Sequence, residues 1–250
     1  MKFKYVVCCS LACALAAAVS AQSSRRGSRG ARAEQTEAEA AQAKMDDMVR
    51  ISVMPVIGAQ SYIMAPSLQV QGGLQPITKS RRVWGVFELT YRTQQMWTED
   101  LTVNWYILAD TSKSRFKDKS KAAKPLPPYV YYTLSTRYTN IYKGDHRSCA
   151  CLPPSFLERY GDPVVISCEI VNSSGKLLDG ENVVNGFPWV QAGKIKESNK
   201  AEMEWWNVDT IINAKSKKTG AAMIELRQGL VDRSKTPFYL VNSNDYETVQ

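Results

Sequence analysis

The sequence predicts an all-β sandwich or barrel of about eight to ten strands with one or two short helices. Three observations carry that expectation. The first is the stretch Arg82–Asp110, in which apolar and polar residues alternate over two runs. Val83, Phe87, Leu89 and Tyr91 share one face of the first run. Leu101, Val103, Trp105, Ile107 and Ala109 share one face of the second. The second observation is a series of shorter alternating runs bounded by Gly, Pro, Asn and Asp. The third is the total: 250 residues, 44% of them hydrophobic, can bury a sizeable core, and no strand–helix–strand rhythm runs through them.

Residues 1–21 stand apart from that domain. Lys2 and Lys4 precede an apolar run from Tyr5 to Val19, and Val19-Ser20-Ala21 offers the small residues of a cleavage site, so a secretory signal is expected. The run of roughly 15 residues is short against the roughly 20 that a membrane span needs. Cys13 has Ser10 where a lipoprotein signal carries Leu. Cleavage would remove two of the 32 basic residues and none of the 24 acidic ones, leaving a net charge of +6. No later run approaches spanning length, so the exported chain is expected in the periplasm or on the outer cell surface.

Residues 22–48 read as a linker. Arg25, Arg26, Arg29 and Arg32 sit among Ser and Gly, a flexible composition; the Ala-, Glu- and Gln-rich part behind them favours helix but lacks a broad apolar stripe. Residues 49–250 are expected to form a single domain. Val49–Val56 alternates and is ended by Pro55; Tyr62–Met64 and Ser67–Val70 are short strands, with a turn at Gly72-Gly73. Thr93–Asp100, between the two long runs, is too long for a tight hairpin and reads as a wide loop or a crossover between sheets.

Thr111–Lys124 is a basic loop: Lys113, Arg115, Lys117, Lys119, Lys121 and Lys124 against Asp118. Three prolines stiffen its exit, and Tyr129–Ile141 alternates with Val130, Tyr132, Leu134 and Tyr138 on one face. Ser148–Pro154 reads as a loop. Ser155 with Glu158 forms a capping-box signature for one short helix closed by Gly161. Asp162-Pro163 restarts a strand with Val164, Ile166, Cys168 and Ile170 inward. Asn172–Gly175 and Asp179-Gly180 read as turns, and Phe187, Trp189 and Val190 as packing or lining an edge. Glu202–Ala214 fits a helical face or a strand, the strand being preferred. Ala222–Arg227 and Pro237–Val241 are the last strands expected.

The chemistry-bearing residues are sparse. His146 is the one histidine, in a polar loop of Lys143-Gly144-Asp145-His146-Arg147 with no G-x-S-x-G elbow, so neither a catalytic triad nor a histidine zinc site is expected. Glu99, Asp100, Glu169, Asp179 and Glu181 are available carboxylates, but most lie where turns want them. Asp179-Gly180-Glu181-Asn182 is too short for an EF-hand loop. Beyond the signal, three cysteines remain. Cys149 and Cys151 are too close in sequence to pair without strain, which leaves Cys168 as the partner of one of them, as in a Cys151–Cys168 disulfide, or three buried free thiols. The basic loop, with Lys79, Arg81 and Arg82, reads as a solvated loop or as a polyanion-binding site. No nucleic-acid motif and no cofactor motif is present. Trp84, Trp97, Trp189, Trp205 and Trp206 are candidates for sugar stacking or for core packing.

The segments VRISVMPVIGAQSYIMAP, WGVFELTYRTQQMWTEDLTVNWYILAD and YVYYTLSTRYTNIYKGDHRSCACLPPSFLERYGDP resemble an exported protein family encoded with type IV pilus assembly genes in a mucin-degrading verrucomicrobial bacterium. The resemblance spans Val49 to Gln250. It implies an immunoglobulin-like sandwich working at the cell surface with the pilus machinery and in contact with a host. It carries over no catalytic or binding residue. The chain lacks the prepilin cleavage signature and its long apolar helix, and it lacks the Cys…Trp…Cys spacing of antibody domains. The expected function is therefore protein contact without catalysis, with pilus or envelope proteins as partners. The alternative is a carbohydrate-binding module for anionic mucin glycans.

Overall fold

The computed structural model describes residues 48–65, 82–114, 126–203 and 222–238. The signal, the linker, the Ser67–Val70 strand, the Gly72-Gly73 turn and nearly all of Glu202–Ala214 lie outside them. The described chain is an all-β sandwich. Nine strands join one sheet: β1 (Val49–Val53), β2 (Tyr62–Met64), β3 (Val83–Asp110), β4 (Tyr129–Leu152), β5 (Asp162–Asn172), β6 (Leu177–Val184), β7 (Gly193–Ile195), β8 (Ile224–Leu226) and β9 (Val231–Asp232). Two short helices accompany them, α1 (Pro154–Tyr160) and α2 (Lys200–Met203). No described helix is long and apolar enough to cross a membrane.

The two long strands organise everything else. β3 and β4 pair antiparallel from Asp110↔Tyr129 down to Gly85↔Leu152, so the two alternating runs of Arg82–Asp110 are halves of one strand. Each half has its own neighbours. The first half of β3 pairs with β1 and β2, and the second half pairs with β5, which continues to β6 and β7. β8 joins the Tyr129 end of β4 in parallel, and β9 joins its Cys151 end.

One sheet becomes two layers because the hairpin folds across itself. Phe87, Leu89 and Tyr91 from one half share a core with Leu101, Val103, Trp105 and Ile107 from the other. A hydrogen bond spans the layers directly: the Trp105 indole donates to Ser148 Oγ at 3.1 Å. The corner lies where the register shifts between Thr93 and Trp97, two extra residues on β3. An even insertion keeps the odd-numbered residues inward on both sides, whereas a single one would turn them out. On β4 the corner holds Asn140, at φ 58, and Gly144, at φ 150. Thr93–Asp100 is thus a crossing between layers, made without leaving the strand.

The second layer is covered on its outer face as well. Leu108, Tyr131, Val164, Val165, Leu177, Phe187 and Ile195 form a second buried cluster. This explains why β5 is buried continuously from Pro163 to Ile170 instead of alternating. It also corrects Val164. A bulge between Leu108 and Ala109 turns it outward, while Ile166, Cys168 and Ile170 face the main core as expected.

Other readings need correcting. Ser148–Leu152 is the end of β4, not a loop; Gly144, Asp145 and Arg147 mimic a turn in sequence, yet they face solvent along a paired strand. Asp179-Gly180 lies inside β6, where Gly180 is required because a Cβ there would sit 3.0 Å from that of Ile195 on β7. Helix α1 is capped by Pro153 with Pro154 in its first turn, so Ser155 lies inside it and makes no box; Gly161, at φ 84, closes it as expected. β9 is too short to show a period and was not anticipated.

Candidate functional site

The most exposed apolar group on the described surface lies at the corner. Met96 is 78% exposed, Tyr142 59% and Trp97 43%. Trp97 and Tyr142 are register partners on β3 and β4, and their rings meet edge to face at 4.7 Å. Met96 lies among the residues of β3 that have no partner on β4, and the Trp97–Tyr142 pair is the first to resume the ladder beyond them. Two cross-strand ion pairs frame the corner. Arg92 holds Asp145 through two hydrogen bonds of 2.6 and 2.8 Å, and Arg137 Nε meets Asp100 at 2.9 Å. In each case the hydrogen bond to the guanidinium holds the carboxyl below its ordinary range.

His146 belongs to the same corner. It lies on β4, not in a loop, and its Nε2 donates to the Tyr142 carbonyl at 2.6 Å while the ring packs 5.5 Å from that of Tyr91. Thr93 Oγ1 donates to the same carbonyl at 2.7 Å. Asp145, its neighbour in sequence, is committed to Arg92. These contacts fix the corner's backbone.

The remaining candidate carboxylates are dispersed. Glu99 is exposed. Glu169 is 3% exposed on the outer face of β5, where Tyr106 donates to it at 3.1 Å and Lys200 lies 3.5 Å away. Asp179 and Glu181 share Lys194, at 3.2 and 2.7 Å. Asp179 also accepts the Ile51 amide at 2.7 Å, joining β1 to β6. Each of these pairings is one that structural acids adopt.

Cys151 and Cys168 are not brought together. Cys168 faces the main core, whereas Cys149 and Cys151 point to the opposite face of β4, and all three are free and buried. The Cys149 and Cys151 sulfurs lie 3.6 Å apart. Their hydrogen bond, with burial, pushes the Cys149 thiol up, and burial pushes Cys168 up. Neutral buried thiols are poor nucleophiles and poor metal ligands.

Of the basic loop, Lys113 is described and exposed, in a single turn after β3. Arg115, Lys117, Lys119, Lys121 and Lys124 lie outside the described residues, as do Lys79 and Arg81; Arg82 is exposed. Tyr129, the first residue of β4 after that loop and its Pro-rich exit, meets Phe187 at 5.2 Å and Trp189 at 6.3 Å. Trp189 is 68% exposed. Among the tryptophans proposed for sugar stacking, Trp97 and Trp189 are thus exposed, Trp84 is half-buried against Phe238, and Trp205 and Trp206 fall outside the described residues. The exposed corner itself was legible only as a loss of alternation between Thr93 and Asp100.

The chain matches no curated protein. A crystal structure of a protein from Akkermansia muciniphila matches with a TM-score of 0.53 at 15% identity, covering 81% of this chain and 93% of that one. At that identity the likeness concerns the fold. A family model matches residues 56–250, from just after β1 to the last residue. Because that match takes in most of the sequence, the chain belongs to the family the model describes.

Proposed function

We propose that this chain is an exported, non-enzymatic domain that acts by protein contact at the cell surface, as an accessory of a type IV pilus-like assembly. The observation that carries the reading is the aromatic corner. Met96, Trp97 and Tyr142 stand exposed on a backbone fixed by the Arg92–Asp145 and Arg137–Asp100 pairs. A rigid, exposed cluster of Trp, Tyr and Met matches the composition of interface anchors. The fold relative comes from a verrucomicrobial bacterium, the group to which the sequence resemblance points. Site-specific photo-crosslinking from position 142 in the native cell tests the proposal. Pilus assembly components are expected among the captured proteins, and their capture should fail with Trp97→Ala. Capture confined to unrelated proteins sinks the reading.

A second reading rests on Trp189, exposed beside Tyr129 at the exit of the basic loop. An exposed aromatic face whose Tyr129 follows a cationic stretch in sequence suits an anionic mucin glycan. Binding of a sulfated or sialylated glycan that is lost with Trp189→Ala, and with Lys117, Lys119 and Lys121 changed to Glu, would establish it.

A further inference from the structure

Cys149 and Cys151 are nucleophilic side chains that neither functional reading uses. Residues two apart on a strand share a face. Ala150 and Leu152 take the core side of β4, so both thiols point out of the first layer. Their sulfurs lie 3.6 Å apart and share a hydrogen bond. Cys168 is held away from them, in the main core on the other side of that layer.

A strand rises about 3.3 Å per residue, which sets two such Cα atoms about 6.6 Å apart. Disulfides span Cα separations of about 4.4 to 6.8 Å, most often about 5.5 to 6 Å. A bond between these thiols is therefore within reach, provided that β4 contracts at Ala150. A disulfide that stores such strain is easily reduced, which suits a reversible bond and not a structural staple. Ala150 is also a residue that holds β9: it pairs with Asp232, and Cys151 pairs with Val231. β9 has two residues and is held by β4 alone. Behind it, Arg233 donates twice to the Phe238 carbonyl at 3.2 Å, and the Phe238 ring meets Trp84 edge-on at 6.1 Å. Residues 231–238 thus form a flap beside the pair, fastened by two strand residues at one end and one ring at the other.

We propose that Cys149 and Cys151 form a reversible intrastrand disulfide whose closure releases the β9 flap. With the flap shut, both thiols are buried and inert. Short strands with one neighbour open locally, and that opening admits the oxidant, an external disulfide. One cysteine, having lost its proton, attacks a sulfur of that disulfide; a mixed disulfide forms and one thiol leaves. The other cysteine loses its proton and attacks the sulfur of the first. The bond to the oxidant breaks, and the second thiol leaves. The pair gives up two protons and two electrons, and the oxidant departs as two thiols. Closure draws β4 in at Ala150, which shifts the backbone groups that Val231 and Asp232 pair with. The flap then stays undocked until the bond is reduced.

Incubation of the folded full chain with oxidised glutathione, then alkylation in denaturant and tryptic mapping, tests this. Residues 148–159 form one tryptic peptide that contains Cys149 and Cys151 and no other cysteine. That peptide should lose two hydrogens and escape alkylation, and dithiothreitol should restore both thiols. The peptide with Cys168 should stay reduced. In the oxidised chain the amides of Val231 and Asp232 should lose protection from hydrogen exchange, while those of Leu101–Ala109 keep theirs. A variant with Cys149→Ser and Cys151→Ser should keep β9 protected in the same oxidant. Thiols that stay alkylatable overturn the proposal, as does a disulfide that forms only in denaturant or a glutathione adduct that never closes. So does a disulfide that leaves β9 protected, or a loss of that protection in the double variant.

Discussion

Ser148 sits on the first layer, and its hydroxyl accepts from two side chains of the second: the Trp105 indole at 3.1 Å and the Tyr138 phenol at 2.9 Å. All three residues are almost fully buried, and burial pushes the Tyr138 phenol well above its ordinary value. Ser148→Ala would leave two donors without an acceptor and without water. Each orphaned donor costs about 1–3 kcal/mol. Urea unfolding followed by tryptophan fluorescence should therefore show a lower midpoint with an unchanged slope. Gly161 is constrained by its backbone. Its φ of 84 favours glycine, and an added Cβ would collide with the Asp110 carbonyl. Because that neighbour is main chain, it cannot swing aside. Gly161→Ala should lose about 3 kcal/mol or more in a thermal melt, at or above the upper end of the usual cost of a single strained residue.

At the scale of elements, the corner is where a continuous hairpin becomes a sandwich. Asn140 adopts the left-handed conformation there, which Asn tolerates and a β-branched residue does not. Asn140→Gly should leave the thermal midpoint unchanged or raise it, and Asn140→Val should cost about 1–2 kcal/mol. The ion pairs on either side add a pH dependence. Asp100 and Asp145 both titrate below an unfolded carboxyl, so the unfolded chain takes up protons first as pH falls. Their contribution is complete above the ordinary carboxyl value, near pH 4, and is lost as pH drops through the lower folded values. The Tm of the parent should fall more steeply below about pH 4 than that of an Asp100→Asn, Asp145→Asn double variant. The corner also marks where sequence patterns stop speaking. Alternation places Phe87, Leu89 and Tyr91 with Leu101, Val103, Trp105, Ile107 and Ala109 on one inner face, as found, whereas Val83 at the strand's start stays outside that core. It lapses between them because a crossing residue faces neither layer. Gly and Asp are ambiguous for a related reason: Asp179-Gly180 has the composition of a turn, but here the Gly makes room for Ile195 and the Asp reaches across to β1. Neither partner is near in sequence. The three cysteines had two open readings, and the opposite faces of Cys151 and Cys168 select free thiols.

At the scale of the whole molecule, both layers are grown on one hairpin, so neither half can open while the other keeps its core. Trp105, Ile107 and Leu89 pack against residues from both arms of the fold, and their amides lie in ladders flanked by a strand on at least one side. β2, β7, β8 and β9 are pieces of two or three residues, each held by a single neighbour. Elements with one partner and few buried groups open locally, whereas a shared core opens only globally. Native-state hydrogen exchange should then give two classes. The amides of β5 and of the 101–109 half of β3 should exchange last and respond to denaturant with the full unfolding slope. Those of β2, β7, β8 and β9 should exchange early with little denaturant dependence. The first half of β3 decides between a folded-over hairpin and two sheets that merely stack. If Phe87 and Leu89 exchange together with Trp105 and Ile107, the two layers form one cooperative unit. If the Phe87 half opens at lower free energy while the Trp105 half stays protected, the corner is a hinge between separable layers, and the rigid backing assigned to the aromatic corner fails with it.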